Sequence, residues 1–293
     1  MFDRSRHLAR LARAKNIFDN GHDFLIRETV KDMIERLSLV QRPFEGAIAL
    51  FGRSSFLFEA MKECHQISTV IRIEDIFSIE NLAVRTEKSI KTSSPDRIIL
   101  PENSADLIIS PLTLHWASDL PGALIQLQRI LRPDGLLLAT LPGPGTLSEL
   151  RESLLIAESE IYGRAVNRMD RFTDIRDAGA LLQRAGFALP VADQYWVTVR
   201  YNQVMDLIRD LRRFAATFHL KNISNPCLTQ EIMEKLMLVY RDRFSDLDGR
   251  IRASFSIISL SGWGPHESQQ KPLKPGSAQF RLSDILKTKE HKI

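Results

Sequence analysis

Two histidines stand beside groups that give them chemical potential. His115 and Trp116 follow the apolar run ADLIIS, and His266 and Glu267 lie in a stretch rich in glycine and proline. Imidazole titrates near neutral pH, so His115 at a strand end can accept a proton or hold a substrate while Trp116 walls a pocket. The plainer alternative is a packed indole and a hydrogen-bonded ring. His266 and Glu267 can close over such a site from their loop, or simply form a turn. The cysteines are only Cys64, next to His65, and Cys227, so neither a disulfide framework nor a cysteine-rich zinc site is available. That usage fits a reducing, intracellular setting. The phosphate loop GxxxxGK[ST], the zinc motif HExxH and the nucleophile elbow GxSxG are all absent, and GAIALFGRSS lacks the glycines of a nicotinamide-binding loop.

Positioning these residues takes an alternation of strands and helices. The run AIALF reads as a buried strand after Pro43 and Gly46, followed by a helix carrying Phe56, Phe58, Ala60 and Met61. Thr69 to Ile73 supplies a second strand, Leu82 to Arg85 a weaker third, and Asp106 to Ser110 a fourth. Leu120, Ala123, Leu124, Leu127, Ile130 and Leu131 recur at helical spacing behind Asp119 and Pro121, and Pro133, Asp134 and Gly135 stop that helix before the strand LLLATL. Thr173 to Ala185 forms a further helix ending at Gly186, and QYWVTVRY reads as a strand. From Asn202 to Arg243 the pattern is helical with a break at Pro226, and Ala278 to Leu282 alternates as a closing strand. The order is that of a doubly wound α/β sheet with a helical insertion before the last strand. The expected divisions are an N-terminal helical arm (1–42), a core (43–200), the insertion or lid (201–264) and a returning loop and strand (265–293).

The chain has 293 residues, 44% hydrophobic and 26% charged, enough to build a substantial core. Its formal net charge is +4, and the first fifteen residues carry all of it: Arg4, Arg6, Arg10, Arg13 and Lys15 against Asp3. The rest is balanced, so nucleic acid, which needs clustered cations at the site, is not an expected partner. The excess argues at most for a contact of the arm with an acidic protein or membrane surface. That arm reads as a solvated helix continuing into Phe18 to Leu37 rather than a secretory signal. Runs such as Leu136 to Leu141 fall far short of the roughly 20 apolar residues a spanning helix requires, so no integral membrane segment is expected.

The stretches ADLIISPLTLHW and DLPGALIQLQRILRPDGLLLATLPGPGTLSELR resemble the second half of a class I S-adenosylmethionine-dependent methyltransferase. More narrowly, LHW, LSELR and GWGPHESQQKPLKPGSA resemble the methyltransferase-like respiratory complex I assembly factors and the malonyl-carrier-protein methyltransferases of biotin synthesis. The resemblance implies a Rossmann-like core and an S-adenosylmethionine site. In that family the first strand ends in a loop of the type DxGxGxG, whose bare backbone lets the cofactor's methionine part approach. The matching stretch is ALFGRSS: Ala49 stands at the acid, and Phe51, Arg53 and Ser55 at the glycines, leaving only Gly52. Arg53 can pair with a carboxylate or point to solvent. The resemblance further implies ribose binding by Glu74 or Asp75, whose two oxygens suit a vicinal diol. It also implies an adenine contact by Asp96, and a place for Leu112 among the cofactor contacts.

Two functions follow from this reading. One is transfer of a one-carbon group to a small molecule, a carrier-bound acid or a protein side chain, which requires alignment and a base. The other is a protein that keeps the fold as an assembly factor or scaffold after its cofactor loop degenerated. Either would act in the cytoplasm, or in an organellar matrix in a eukaryote.

Overall fold

The computed structural model describes residues 23–52, 55–75, 89–92, 94–164, 172–216 and 228–270, with 9, 168, 276, 277 and 280. In chain order the elements are α1 (Phe24–Ser38), β1 (Phe44–Leu50), α2 (Ser55–Glu63), β2 (Ile67–Asp75), β3 (Ser89–Thr92) and β4 (Ala105–Ser110). A short 3-10 turn (Leu114–Trp116) leads to α3 (Leu120–Ile130), β5 (Leu131–Pro142), α4 (Ser148–Tyr162) and α5 (Ile175–Arg184). β6 (Ala188–Tyr201), α6 (Val204–Arg213), α7 (Gln230–Phe244) and β7 (Ile251–Trp263) complete the described chain. The seven strands form one sheet in the order β3-β2-β1-β4-β5-β7-β6. β3 through β5 run parallel, while β7 is antiparallel to both β5 and β6.

β4 is buried at all six positions because helices cover both faces of the sheet. On one face Ile48, Ile108, Leu137 and Ala139 pack with Leu124 and Leu127 of α3 and Ala178 and Leu182 of α5. On the other, Ala47, Ala49, Leu107 and Ile109 meet Val30, Met33 and Leu37 of α1 and Leu57 and Met61 of α2. A third cluster joins α4, α6 and α7 to the outer strands through Leu154, Leu207, Leu236, Tyr240 and Phe255. The helix starts follow their capping residues: Asp119 accepts from the Gly122 amide at 2.9 Å, Asp174 from Asp177 at 2.8 Å and Thr229 from Ile232 at 3.3 Å. α5 ends at the left-handed Gly186 (φ 87°), as its sequence requires.

Three expectations are revised. β7 occupies 251–263 inside the segment assigned to the helical insertion (201–264), so the inserted helices α6 and α7 precede this strand and the insertion ends before it. Its alternation was hidden by Ser256 and Ser259, polar residues buried because the strand is interior to the sheet. The chain turns extended at Leu131, and RPDG is a bulge inside β5, between the pairs Ala105↔Leu131 and Leu107↔Leu136, rather than a turn before it. The described third strand is Ser89–Thr92; Leu82 to Arg85, Pro226 and most of Ala278 to Leu282 lie outside the described residues.

Candidate functional site at the carboxyl edge of the sheet

The parallel strands β1, β4 and β5 end at one edge, and the loop after each contains a bulky residue forced into the left-handed region. These are Phe51 (φ 52°), Leu112 (φ 46°) and Leu147 (φ 56°). Each such residue costs about 1–2 kcal/mol, and three on one edge mark a place where the surrounding structure dictates the backbone. Cross-links hold them. The Phe51 amide donates to the Ile73 carbonyl at 2.8 Å, and the Thr113 hydroxyl reaches the carbonyls of Phe51 (2.9 Å) and Pro111 (2.7 Å). The Leu112 amide donates to the carbonyl and the hydroxyl of Thr140, each at 3.0 Å.

Phe51 is 2% exposed and its ring belongs to the core cluster of Ile73, Leu114 and Leu124. Gly52 beside it is buried, and Ala49, 1% exposed, packs in the α1–α2 face, where it supplies neither charge nor a hydrogen bond. Glu74 and Asp75 are the last residues of β2, paired in register with Lys91 and Thr92, so the backbone delivers both to this edge. Arg53 lies outside the described residues. One carboxylate oxygen of Asp96 accepts from the amides of Ser118 (2.5 Å) and Asp119 (3.1 Å), which ties it to the start of α3. Gln126 fixes the same loop, donating to the Asp96 carbonyl at 2.9 Å and accepting from the Ile98 amide at 3.0 Å.

His115 and Trp116 occupy the 3-10 turn after β4, with ring centroids 4.4 Å apart and planes inclined at 43°. Trp116 is 8% exposed, so the indole is largely a packing group, whereas His115 is half-buried. Phe51, Gly52, Asp96, Leu112, His115, Trp116 and the end of β2 therefore share one edge.

His266 and Glu267 do not. β7 runs antiparallel to β5 and pairs Trp263 with Leu136, so the chain leaves it at the amino edge, the length of the sheet away from His115. There His266 Nδ1 meets the Ser268 hydroxyl at 2.7 Å, and its amide donates to Gln269 at 3.1 Å. Gln269 in turn donates to Asp134 (3.1 Å) and the Gly264 carbonyl (2.8 Å). A cavity of about 220 Å³ lies at this edge, lined in part by Asn103, Arg129, Arg132 and Pro265. His266 and Glu267 are thus part of a hydrogen-bonded loop on the far side of the sheet, where they cannot close over His115.

A group at the carboxyl edge escaped the sequence reading. After β5, the Gly143 amide donates to the Ser256 carbonyl (2.8 Å) and the Leu147 amide to Ser254 (2.7 Å), so the PGPGT loop is laced to β7. Gln194 donates to the Ser256 hydroxyl at 2.7 Å, and Ser254 donates to Glu149 at 2.5 Å. Trp196, opposite Ser256 in the ladder and 54% exposed, rests its ring on Gly145. The only signal in the sequence was an aromatic residue in a strand far along the chain from two closely spaced glycines.

Among the described residues no group of three or more histidine, cysteine, aspartate or glutamate side chains is arranged to hold a metal ion. Nor is any described helix long and apolar enough to cross a membrane.

Residues 54–139 match the family model of a methyltransferase domain. A zebrafish (Danio rerio) protein named arginine-hydroxylase NDUFAF5, mitochondrial, is 32% identical over 297 residues, covering 98% of this chain and 90% of its own. The human protein of that name is 33% identical over 270 residues, covering 90% and 77%. The malonyl-[acyl-carrier protein] O-methyltransferase of Halorhodospira halophila is 32% identical over 185 residues, covering 63% and 61%. The solved structure of the YcgJ protein from Bacillus subtilis shares the fold, with a TM-score of 0.52 at 14% identity over 82% of this chain and 99% of that one. Sheet order, strand directions and these similarities agree: the chain belongs to the class I S-adenosylmethionine-dependent methyltransferase family.

Proposed function

We propose that the chain acts on an arginine side chain of a protein partner, on a methyltransferase fold whose cofactor loop is rebuilt around Phe51. The observation that carries this is the state of that residue. An S-adenosylmethionine loop presents open amides and a nearby acid to the cofactor's methionine end. Here the amide and the carbonyl of Phe51 are both engaged, its ring fills the core, and the acid position is the buried Ala49. The residues present do not fit the methionine end, so no methyl-transfer step is assigned. The acceptor class comes from the relatives named arginine-hydroxylases, which align with nearly the whole chain. In this reading His115 sits at the edge as the proton acceptor, and the basic N-terminal arm contacts the partner, in the cytoplasm or a mitochondrial matrix. A non-enzymatic role as an assembly factor, including one for respiratory complex I, would use the same protein-binding surface.

A second reading, methylation with weakened cofactor binding, is supported by one observation: the backbone of β2 ends at Asp75 on the same edge as the Asp96 loop, where the family resemblance expects the ribose and adenine contacts. The two readings separate in one experiment. Purified protein is titrated calorimetrically with S-adenosylmethionine. It is then incubated with arginine-containing peptides, once with S-adenosylmethionine and once with dioxygen, ferrous iron and a two-electron reductant, and the peptides are weighed by mass spectrometry. Gain of one oxygen atom without saturable cofactor binding is the expected result. Saturable binding, lost in Asp75→Ala, with gain of a methylene unit overturns the first reading in favour of the second.

A further inference from the structure

We propose that Trp196, seated on Gly145, is a docking platform for the guanidinium of an arginine flanking the acceptor in the protein substrate. This rests on the reading of a protein arginine acceptor and adds to it a second, separate contact.

The ring is held in place and its surroundings are built. Gly145 has φ 85°, and a Cβ there would lie 2.6 Å from the indole Cη2, so the bare backbone is what lets the ring settle. The loop bearing Gly145 is fixed by the Gly143 and Leu147 amides on β7, and by Thr146, whose hydroxyl accepts from the Ser256 amide at 3.1 Å. Yet 54% of Trp196 stays open to solvent. A large aromatic surface immobilised from one side and exposed on the other suits a planar partner.

The acidic start of α5, the helix on the same face of β6 as Trp196, points to a cationic one. α5 runs back along β6, with Gly179 beside Ala192, so the first turn of the helix lies toward the level of Trp196. That turn exposes Asp174 and Asp177 with Arg176 between them. A guanidinium over an indole face gains cation–π attraction, and the net acidic helix start on the same face of the sheet adds a field of the complementary sign. A malonyl carboxylate would gain neither.

The distance is right for a substrate chain. From the Leu112 loop to Trp196 the sheet crosses from β4 to β6, three strand spacings or about 14 Å. An extended peptide covers this in roughly four residues, so the platform takes a neighbour of the acceptor rather than the acceptor itself.

The test uses the full chain and peptides carrying one acceptor arginine and, four residues away, arginine, lysine or citrulline. Citrulline keeps the shape and loses the charge. Tryptophan fluorescence reports binding, and mass spectrometry reports modification. The flanking arginine should lower KM roughly 5- to 10-fold relative to citrulline, with kcat unchanged. Trp196→Ala should abolish the preference, Trp196→Phe should keep part of it, and Gly145→Ala should weaken it by displacing a ring that is still present. Unfolding midpoints identify any variant that fails through stability, and Trp196→Phe, which keeps a ring, then decides. Modification with the same KM for all flanks overturns the platform and leaves the function standing. Binding that needs both Trp196 and the flanking arginine, without modification, supports the platform and overturns the proposed activity. Preferential binding of a malonyl thioester analogue overturns both.

Discussion

Replacing Phe51 by glycine sets two opposed terms against each other. Deleting a fully buried phenylalanine side chain costs about 3–5 kcal/mol in lost burial and cavity. Glycine also releases the left-handed strain at φ 52°, worth about 1–2 kcal/mol. The net loss should be about 2–3 kcal/mol, a drop of roughly 3–5 °C in Tm for a domain of this size. Alanine at the same position creates almost the same cavity and keeps the strain. Phe51→Ala should therefore be the less stable variant, although it deletes fewer atoms. Urea unfolding of the wild type and both variants gives the order directly. If alanine proves more stable than glycine, or if both lie within about 0.5 kcal/mol of wild type, the size expected of an ordinary surface change, the strained core position assigned to Phe51 is wrong. The same variant probes the cofactor argument. Combined with Ala49→Asp, Arg53→Gly and Ser55→Gly, Phe51→Gly should recover S-adenosylmethionine binding. At a hundredfold excess over Kd, the ligand would then stabilise the protein by about 2.7 kcal/mol.

Burial pushes the Tyr195 phenol from 10.0 up to about 12. Its contribution to stability is intact below pH 10 and is lost as the pH rises toward 12, because the unfolded chain gives up that proton first. Tyr195→Phe should flatten the alkaline arm of the unfolding curve, followed beside tyrosinate absorbance; an unchanged arm would place the phenol in water. Asp119→Ala removes the cap of α3 and should cost about 1 kcal/mol, with hydrogen exchange quickening in the first turn of that helix. Gly264→Ala brings a Cβ to 2.5 Å from the Arg132 carbonyl oxygen. Because that atom is backbone, thermal unfolding should show a loss of about 1–3 kcal/mol.

The central strands and their helices were readable because burial on both faces leaves an unbroken apolar run, as in ADLIIS, and because caps such as Asp119 and Gly186 act locally. β7 was not, and the loss propagated. With 251–263 read as part of an insertion, nothing carried the chain to the amino edge, so His266 and Glu267 were set over the site they turn away from. The place of His115 and Trp116 just after β4 was legible because a strand end is a local property. The Trp196–Gly145 contact depends on the order of β5, β7 and β6, which no local pattern encodes. The bonds of Asp96 to the Ser118 and Asp119 amides were not legible in the sequence, because they form only once the loop folds back on α3.

The position of β7 between β5 and β6 also sets a timetable for the nascent chain. β6 is synthesised about fifty residues before its only partner in the described sheet, and β5 waits still longer for its second neighbour. Until Trp263 has emerged, the growing protein has two strand edges that only the last described strand can cover. β7 must slot between neighbours made earlier, joining them in one event, and any pause or truncation within α6 or α7 leaves both edges available to other chains.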